Sequence, residues 1–169
     1  MKELGANNMN FKTTHSFVLA SASPRRNELF SLLNVPFDIV TSDVEETSVT
    51  AQNVQQYVTE VALLKTRDVA EKCPNKTVIG ADTIVVYNDM LLHKPKSREE
   101  AINHLQTLSN DTHDVLTAVA IIAPNGQEFT FVEETKVIFK DVPQQLIEAY
   151  VDSADPFDKA GGYGIQTDG

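Results

Sequence analysis

A short apolar run that passes directly into a helix-start signal constrains this fold more than any other sequence feature. The run "FVLA", Phe17–Ala20, is continuously apolar, which is typical of a strand buried on both faces. Ser23 and Pro24 follow it, and a capping hydroxyl before a proline at the first helical position favours a helix. This helix is predicted to extend to about residue 33 and to bury Leu29, Phe30, Leu32 and Leu33.

Strand and helix patterns continue to alternate along the chain, and a hairpin pattern comes late. Apolar spacing of three and four residues, a capping box at Ser97 and Glu100, and the turns "YNDM" and "PNGQ" mark the elements. The predicted strands are 37–40, 77–81, 83–87, 91–92, 115–123 and 128–139, and the predicted helices are 53–71, one after Ser97, and 143–151. This order predicts an α/β fold with a mixed sheet.

Length and charge limit the classes of function. A chain of 169 residues with 41% apolar residues suits one domain with a substantial core. Lysine and arginine total 14 against 24 acidic residues, and the net charge is −10. We therefore do not expect a general basic surface that would bind a nucleic acid polymer or an anionic membrane. A phosphate ligand would need a local cluster of cations.

Signals for cell location are few. Cys73 is the single cysteine, so no internal disulfide can form, which fits a reducing cytosol. The apolar runs are too short to span a bilayer, and the N-terminal sequence lacks the pattern of a signal peptide. We expect a cytoplasmic protein with no membrane partner.

We also expect a flexible leader at 1–14, in which Met9 is a candidate native start, and a single domain at 15–169.

The stretch "SASPRR" places donors for an anion at the predicted helix start. Free N–H groups and the helix dipole favour negative charge there. Ser21, Ser23, Arg25 and Arg26 would add hydroxyl and guanidinium donors. The alternative is a capping serine beside two solvated arginines.

Acidic residues follow two predicted strands. Asp82, in "GADT", lies at a strand end, where a buried carboxylate needs a cation or hydrogen bonds. Such a group could hold a divalent ion and deprotonate water, or it could cap a turn or pair with a lysine. The run "SDVEE", 42–46, offers oxygen ligands for Mg²⁺ or Mn²⁺, and a solvated acidic loop is the alternative.

Two lysines and a glycine-rich segment can each be interpreted as functional or as structural. Lys65 lies in a predicted helix and Lys94 in the loop "HKPKS"; surface lysines are the default for both. The segment "DKAGGYGIQ", 158–166, permits close approach of the backbone to a ligand, and a structural turn is the alternative. No P-loop, serine-hydrolase elbow or His and Cys metal spacing is present in the sequence.

Seven motifs in order make the chain resemble the Maf family of nucleoside triphosphate pyrophosphatases. They are "ASASPRR", "DVEE", "GADTIVV", "KPKS", "LSNDTHDVLTAVA", "EAYV" and "DKAGGYGIQ". The resemblance covers about residues 17 to 169. It implies a mixed β-sheet flanked by helices with a central nucleotide-binding cleft, similar to inosine triphosphate pyrophosphatase. It also implies a cytoplasmic enzyme, often homodimeric, that needs a divalent cation.

The resemblance assigns roles residue by residue. Asp82 matches the family's proton acceptor, and Glu46 with Asp82 matches its metal site. The phosphate-binding positions match Ser21, Ser23, Arg25, Arg26, Lys65 and Lys94. Positions that discriminate among substrates match Arg25, Thr83 and Gln166, in the pattern of the branch that cleaves dTTP and UTP to the monophosphate and pyrophosphate.

Three departures from the family pattern are visible. Asn110 stands where glycine is frequent, and Thr66 stands where alanine is usual. The sequence ends at "QTDG", where family members continue with a strand and a helix, so the expected domain lacks its C-terminal end.

Two other functions remain open from the sequence. One is a non-catalytic nucleotide-binding regulator linked to cell division, which would bind dTTP without releasing pyrophosphate. The other is a binder of single-stranded nucleic acid, against which the negative charge and the absence of tryptophan count.

Overall fold

A computed structural model describes residues 16–46, 49–153 and 156–163. The strands are β1 (Phe17–Ala20), β2 (Phe37–Ile39), β3 (Thr77–Tyr87), β4 (Met90–Leu92), β5 (Thr112–Ile122) and β6 (Glu128–Ile138). The helices are α1 (Pro24–Ser31), α2 (Val54–Lys72), α3 (Arg98–Leu108) and α4 (Gln144–Ser153), followed by short 3₁₀ turns at 156–158 and 160–162. The predicted order of elements is confirmed, and the boundaries differ by a few residues.

The strands form one mixed sheet, as the alternation of elements predicted. The sheet order is β2-β1-β3-β5-β6, and β4 pairs with β3. β1 lies parallel to both β2 and β3, while β4 runs antiparallel to β3. The two predicted segments 77–81 and 83–87 are one continuous strand. Asn88 and Asp89 both have positive φ, as a tight hairpin turn between β3 and β4 requires.

The described residues divide into two compact units, each built from separate segments. The first takes the residues before 53, then 59–82 and 118–131, and the second takes 53–58, 83–117 and the residues from 132 onward. In the first unit, α2 covers β1 and β3 through a cluster of buried side chains. Its members are Val18, Ala20, Val69 and Val78.

The predicted burial of the α1 leucines is wrong for two of them. Leu29 is 56% exposed and Leu32 is 68% exposed. The helix instead turns Phe30 inward, where its ring packs edge-on against Phe17 and Phe37. Residues 29 and 32 share one side of the helix and residue 30 lies on another, so a short helix cannot bury both sides.

The second unit packs α4 on α3. Ser97 caps α3 as predicted, and its side chain accepts a hydrogen bond from the N–H of Glu100. The buried side chains between the two helices are Ala101, Ile102, Leu105, Ile147 and Val151. No helix in the described part of the chain is long and apolar enough to cross a membrane.

An aromatic cluster in the second unit contains a buried histidine. His113 is 2% exposed, its Nε2 is hydrogen-bonded to the Tyr163 hydroxyl, and its ring packs against Phe139. Its Nδ1 has no partner among the residues that the structure describes. Burial lowers the pKa of His113 and the nearby Asp114 opposes this, so the neutral ring is favoured in the folded state.

Replacing His113 with phenylalanine should flatten the dependence of stability on pH. The folded-state pKa of His113 lies below the ordinary value of 6.5, so the unfolded chain binds the extra proton between the two values. The free energy of unfolding therefore falls as the pH drops below about 6.5. Urea unfolding between neutral and mildly acidic pH measures the slope, which Tyr163→Phe should retain because it keeps the imidazole. An unchanged slope in His113→Phe would contradict this assignment.

Candidate active site

A lysine between two carboxylates forms the centre of the site in the first unit. Lys65 Nζ lies 2.6 Å from Glu46 Oε1 and 3.0 Å from Asp82 Oδ1. The Lys65 side chain is 20% exposed, and Asp82 is 7% exposed. The surface-lysine alternative for Lys65 therefore fails, because this side chain is part of an ion-paired cluster. Of the structural alternatives for Asp82, the structure shows the pairing with a lysine and not the capping of a turn.

Burial and the neighbouring opposite charges shift the pKa values of Asp82 and Lys65 in opposite directions. Burial raises the pKa of Asp82, and Lys65 and Arg26 only partly offset it. Burial also disfavours the charged form of Lys65, but the two carboxylates outweigh it and raise the pKa of the ammonium. The lysine therefore stays protonated while the Asp82 carboxyl is more basic than an ordinary aspartate.

The helix-start motif lies against the same strand. Ser23 caps α1, and its hydroxyl accepts the N–H of Arg26 at 3.4 Å. The Ser21 side chain is buried and accepts the N–H of Ser23 at 3.1 Å. Arg26 Nη1 donates to the carbonyl oxygen of Ala81 at 3.1 Å, which places the guanidinium beside Asp82.

The two arginines differ in their surroundings. Burial lowers the pKa of Arg26, Asp82 opposes this, and Arg25 adds like-charge repulsion. Arg25 is half-buried on the same helical turn. One neighbourhood around the carboxyl end of β1 and the middle of β3 thus contains Ser21, Ser23, Arg26, Glu46, Lys65 and Asp82. The predicted place of Asp82 at a strand end is wrong, because β3 continues without a break to Tyr87.

The loop that carries Glu46 is fastened to α2. The Asp68 carboxylate accepts a hydrogen bond from the Ser42 hydroxyl at 2.9 Å and pairs with Lys72. Lys72 also lies 3.5 Å from the Asp43 carboxylate. The acidic run 42–46 is therefore not one cluster: Asp43 faces Lys72, while Glu46 faces Lys65. The sequence did not reveal this, because Asp68 looks like an ordinary surface residue of an amphipathic helix.

The remaining predicted site residues belong to the second unit or are not described. Thr83 Oγ1 lies 3.0 Å from Thr117 Oγ1. Since Thr83 follows Asp82 along β3, its side chain projects from the opposite face of that strand. Lys94 is exposed in the loop before α3. Gln166 lies outside the described residues.

The described part of the glycine-rich segment is tightly packed. Gly161 has φ +71°, and a Cβ atom there would lie 3.1 Å from Val85 Cγ2. Gly162 has φ +81° and lies against Pro95, the residue after Lys94. Positive φ at both residues and the tight contact at Gly161 favour the structural interpretation of these two glycines. Gly162 therefore packs beside the loop that carries Lys94.

The donor set of Glu46 and Asp82 fits a divalent cation. Two carboxylate oxygens already share one cation, the Lys65 ammonium, within 3.0 Å. No group of three or more His, Cys, Asp or Glu side chains among the described residues could hold a metal. Mg²⁺ is commonly bound by one or two carboxylates together with water and substrate phosphates, so two carboxylates suffice.

Replacing Lys65 with methionine should destabilise the fold. The Asp82 carboxylate would stay buried without its ion-pair partner, a loss of about 2 kcal/mol in the free energy of unfolding. The double variant Lys65→Met with Asp82→Asn should recover part of it, because an amide needs no counter-charge. Lys76→Met is the control: its pair with Asp38 is exposed and should contribute less than about 1 kcal/mol. Equal losses in urea unfolding for the two methionine variants would contradict the buried pairing.

Two solved structures have a fold similar to that of this chain. A nucleoside-triphosphatase / dITP/XTP pyrophosphatase from Mycobacterium abscessus superposes with a TM-score of 0.52 at 16% identity, over 76% of each chain. The Ham1 protein of Staphylococcus aureus gives a TM-score of 0.53 at 19% identity, over 73% of this chain and 71% of its own. At these identities the likeness confirms the predicted α/β fold.

Sequence relatives are much closer. The sequence is 48% identical over 149 residues to a dTTP/UTP pyrophosphatase of Geobacillus sp. strain WCH70, covering 88% of this chain and 80% of the relative. It is 49% identical over 152 residues to a Bacillus cereus protein of the same name, covering 90% and 79%. The profile of the Maf-like protein family matches residues 16–169. The chain therefore belongs to the Maf family.

Proposed function

We propose that this protein hydrolyses nucleoside triphosphates, with dTTP and UTP as preferred substrates, to a nucleoside monophosphate and pyrophosphate. The observation that carries the proposal is the buried cluster in which Lys65 joins Glu46 and Asp82. Its relatives named dTTP/UTP pyrophosphatase support the choice of substrate. The role would be to clear or adjust the nucleotide pool in the cytoplasm.

Asp82 has the properties of a general base in this reaction. Its pKa is raised by burial, and a base works best when its pKa lies near the working pH. We assign to it the proton of the attacking water. As the water oxygen bonds to the α-phosphorus, the bond to the bridging oxygen of the β-phosphate breaks and pyrophosphate leaves with that oxygen.

The cations of the site match the charge of the substrate. Leaving pyrophosphate gains negative charge, so fixed positive groups lower the barrier. We assign Arg25, Arg26 and Lys65 to the phosphates, with the Ser21 and Ser23 hydroxyls as further donors. Lys94, Thr83 and Gln166 are proposed as additional substrate contacts on the strength of the family motifs.

Glu46 and Asp82 would hold the divalent cation, Mg²⁺ or Mn²⁺. The ion would supply positive charge that offsets the phosphate oxygens and polarises them. Activity should therefore disappear with a chelator and return with either ion. Homodimerisation, which is frequent in the family, belongs to the proposal as well.

Asp82→Asn should abolish most of the pyrophosphate release. The amide cannot accept the proton, and loss of a general base lowers kcat by roughly 10²–10⁴-fold. The assay screens nucleoside triphosphates with Mg²⁺ and Mn²⁺ and separates pyrophosphate from orthophosphate. Asp38→Asn is the matched control, since Asp38 is exposed on β2 and pairs with Lys76.

Three outcomes would overturn parts of this proposal. Full activity in Asp82→Asn would refute the role of Asp82. Orthophosphate as the first product would refute cleavage between the α and β phosphates. Binding of dTTP by the wild-type protein without product release would favour the non-catalytic regulator instead.

A further inference from the structure

We infer that the close packing of Gly80 against Thr66 sets the position of Lys65 against Asp82, which makes Gly80 a positioning residue for catalysis. The inference rests on the proposed function, because it assigns the contact a role in that reaction. It concerns a residue at which this chain departs from the usual family pattern, since threonine stands at position 66 in place of alanine.

The contact leaves no room for a side chain at residue 80. A Cβ atom on Gly80 would lie 2.1 Å from Thr66 Oγ1 and 3.2 Å from Thr66 Cβ. Gly80 is not among the glycines with positive φ, so its backbone conformation is open to other residues. Glycine is therefore needed here for space, because α2 lies so close to β3 that a side chain at residue 80 cannot be larger than a hydrogen atom.

Thr66 cannot easily turn away from this contact. It is fully buried, and its hydroxyl donates to the carbonyl oxygen of Ala62 one helical turn earlier at 2.6 Å. This bond fixes the side-chain rotamer, so Oγ1 is held in place above Gly80.

The contact lies directly beside the catalytic pair along both elements. Thr66 follows Lys65 on α2, and Gly80 lies two residues before Asp82 on the same face of β3. On the other side of the contact, Val69 of α2 packs with Val78 of β3. The approach of α2 at Gly80 therefore decides whether Lys65 Nζ reaches Asp82 Oδ1 at the observed 3.0 Å.

An added methyl group at residue 80 should act through this distance. It would push α2 away from β3, and Lys65 would move with its helix. Misplacing a catalytic group by about 1 Å can lower a rate by roughly 10²-fold. We expect Gly80→Ala to lower kcat by about that factor while KM changes less.

Variants at Thr66 provide the matched test. Thr66→Ala removes Oγ1 and should restore most of the activity of Gly80→Ala, because the clash at 2.1 Å disappears. Thr66→Val removes the hydroxyl but keeps both branches at Cβ, so it should not restore activity. The single variants Thr66→Ala and Thr66→Val, each with Gly80 intact, should stay near the wild-type kcat, which separates the clash from loss of the hydroxyl.

The measurements are kcat and KM for dTTP, the thermal midpoint, and crystal structures of the wild type, Gly80→Ala and its double variant with Thr66→Ala. Recovery of kcat with Thr66→Ala but not with Thr66→Val supports the inference. A folded Gly80→Ala protein with wild-type kcat overturns it, even with a lower thermal midpoint, since the contact would then be only structural. If Gly80→Ala does not fold, the two double variants decide. Recovery of folding and kcat with Thr66→Ala but not with Thr66→Val supports the inference, and recovery with neither substitution overturns it.

Failure of the proposed function gives a different result. A wild-type protein that releases no pyrophosphate refutes that function, and the crystal structures then decide the geometric claim. Lys65 Nζ displaced from Asp82 in Gly80→Ala and returned in the alanine double variant supports it. An unchanged distance between Lys65 Nζ and Asp82 Oδ1 in Gly80→Ala overturns it.

Discussion

The Lys65 ammonium, held between the carboxylates of Glu46 and Asp82, is the interaction on which the arrangement of the site depends. A buried carboxylate within a strand is unfavourable without a compensating cation. One lysine compensates both acids and thereby ties the loop 42–46 and β3 to the middle of α2. Burial disfavours the charged form of Asp82 and thereby raises its pKa, and a carboxylate with a higher pKa is a better base.

Several other contacts hold the cluster of Lys65, Glu46 and Asp82 in place. Asp68 fastens the loop that carries Glu46, and Arg26 joins α1 to the backbone of β3 at Ala81. Gly80 allows α2 to come close to the sheet beside Thr66. Of these groups, only Arg26 is also proposed to contact the substrate. Their shared effect is to limit how far the charged groups can move, which is the condition for electrostatic stabilisation of a transition state.

Local signals made much of the fold predictable. The serines that cap α1 and α3 and the turn between β3 and β4 formed as their residues dictate. The strand Phe17–Ala20 also formed as predicted, because a continuous apolar run suits a buried sheet, while the predicted segments 77–81 and 83–87 joined into one strand through Asp82. The exposure of Leu29 and Leu32 was not predictable from spacing, since a helix pattern does not say which of two apolar sides meets the sheet.

The sequence by itself determined the order of elements, the chemical types at the site and the family motifs that single out Asp82, because these depend on neighbouring residues. Only the tertiary structure decided that Lys65 pairs with Glu46 and Asp82, that Asp43 faces Lys72 instead, and that Gly80 lies against Thr66. These contacts join residues from separate elements. Their geometry follows from how α2 packs on β1 and β3, and no local pattern encodes that distance.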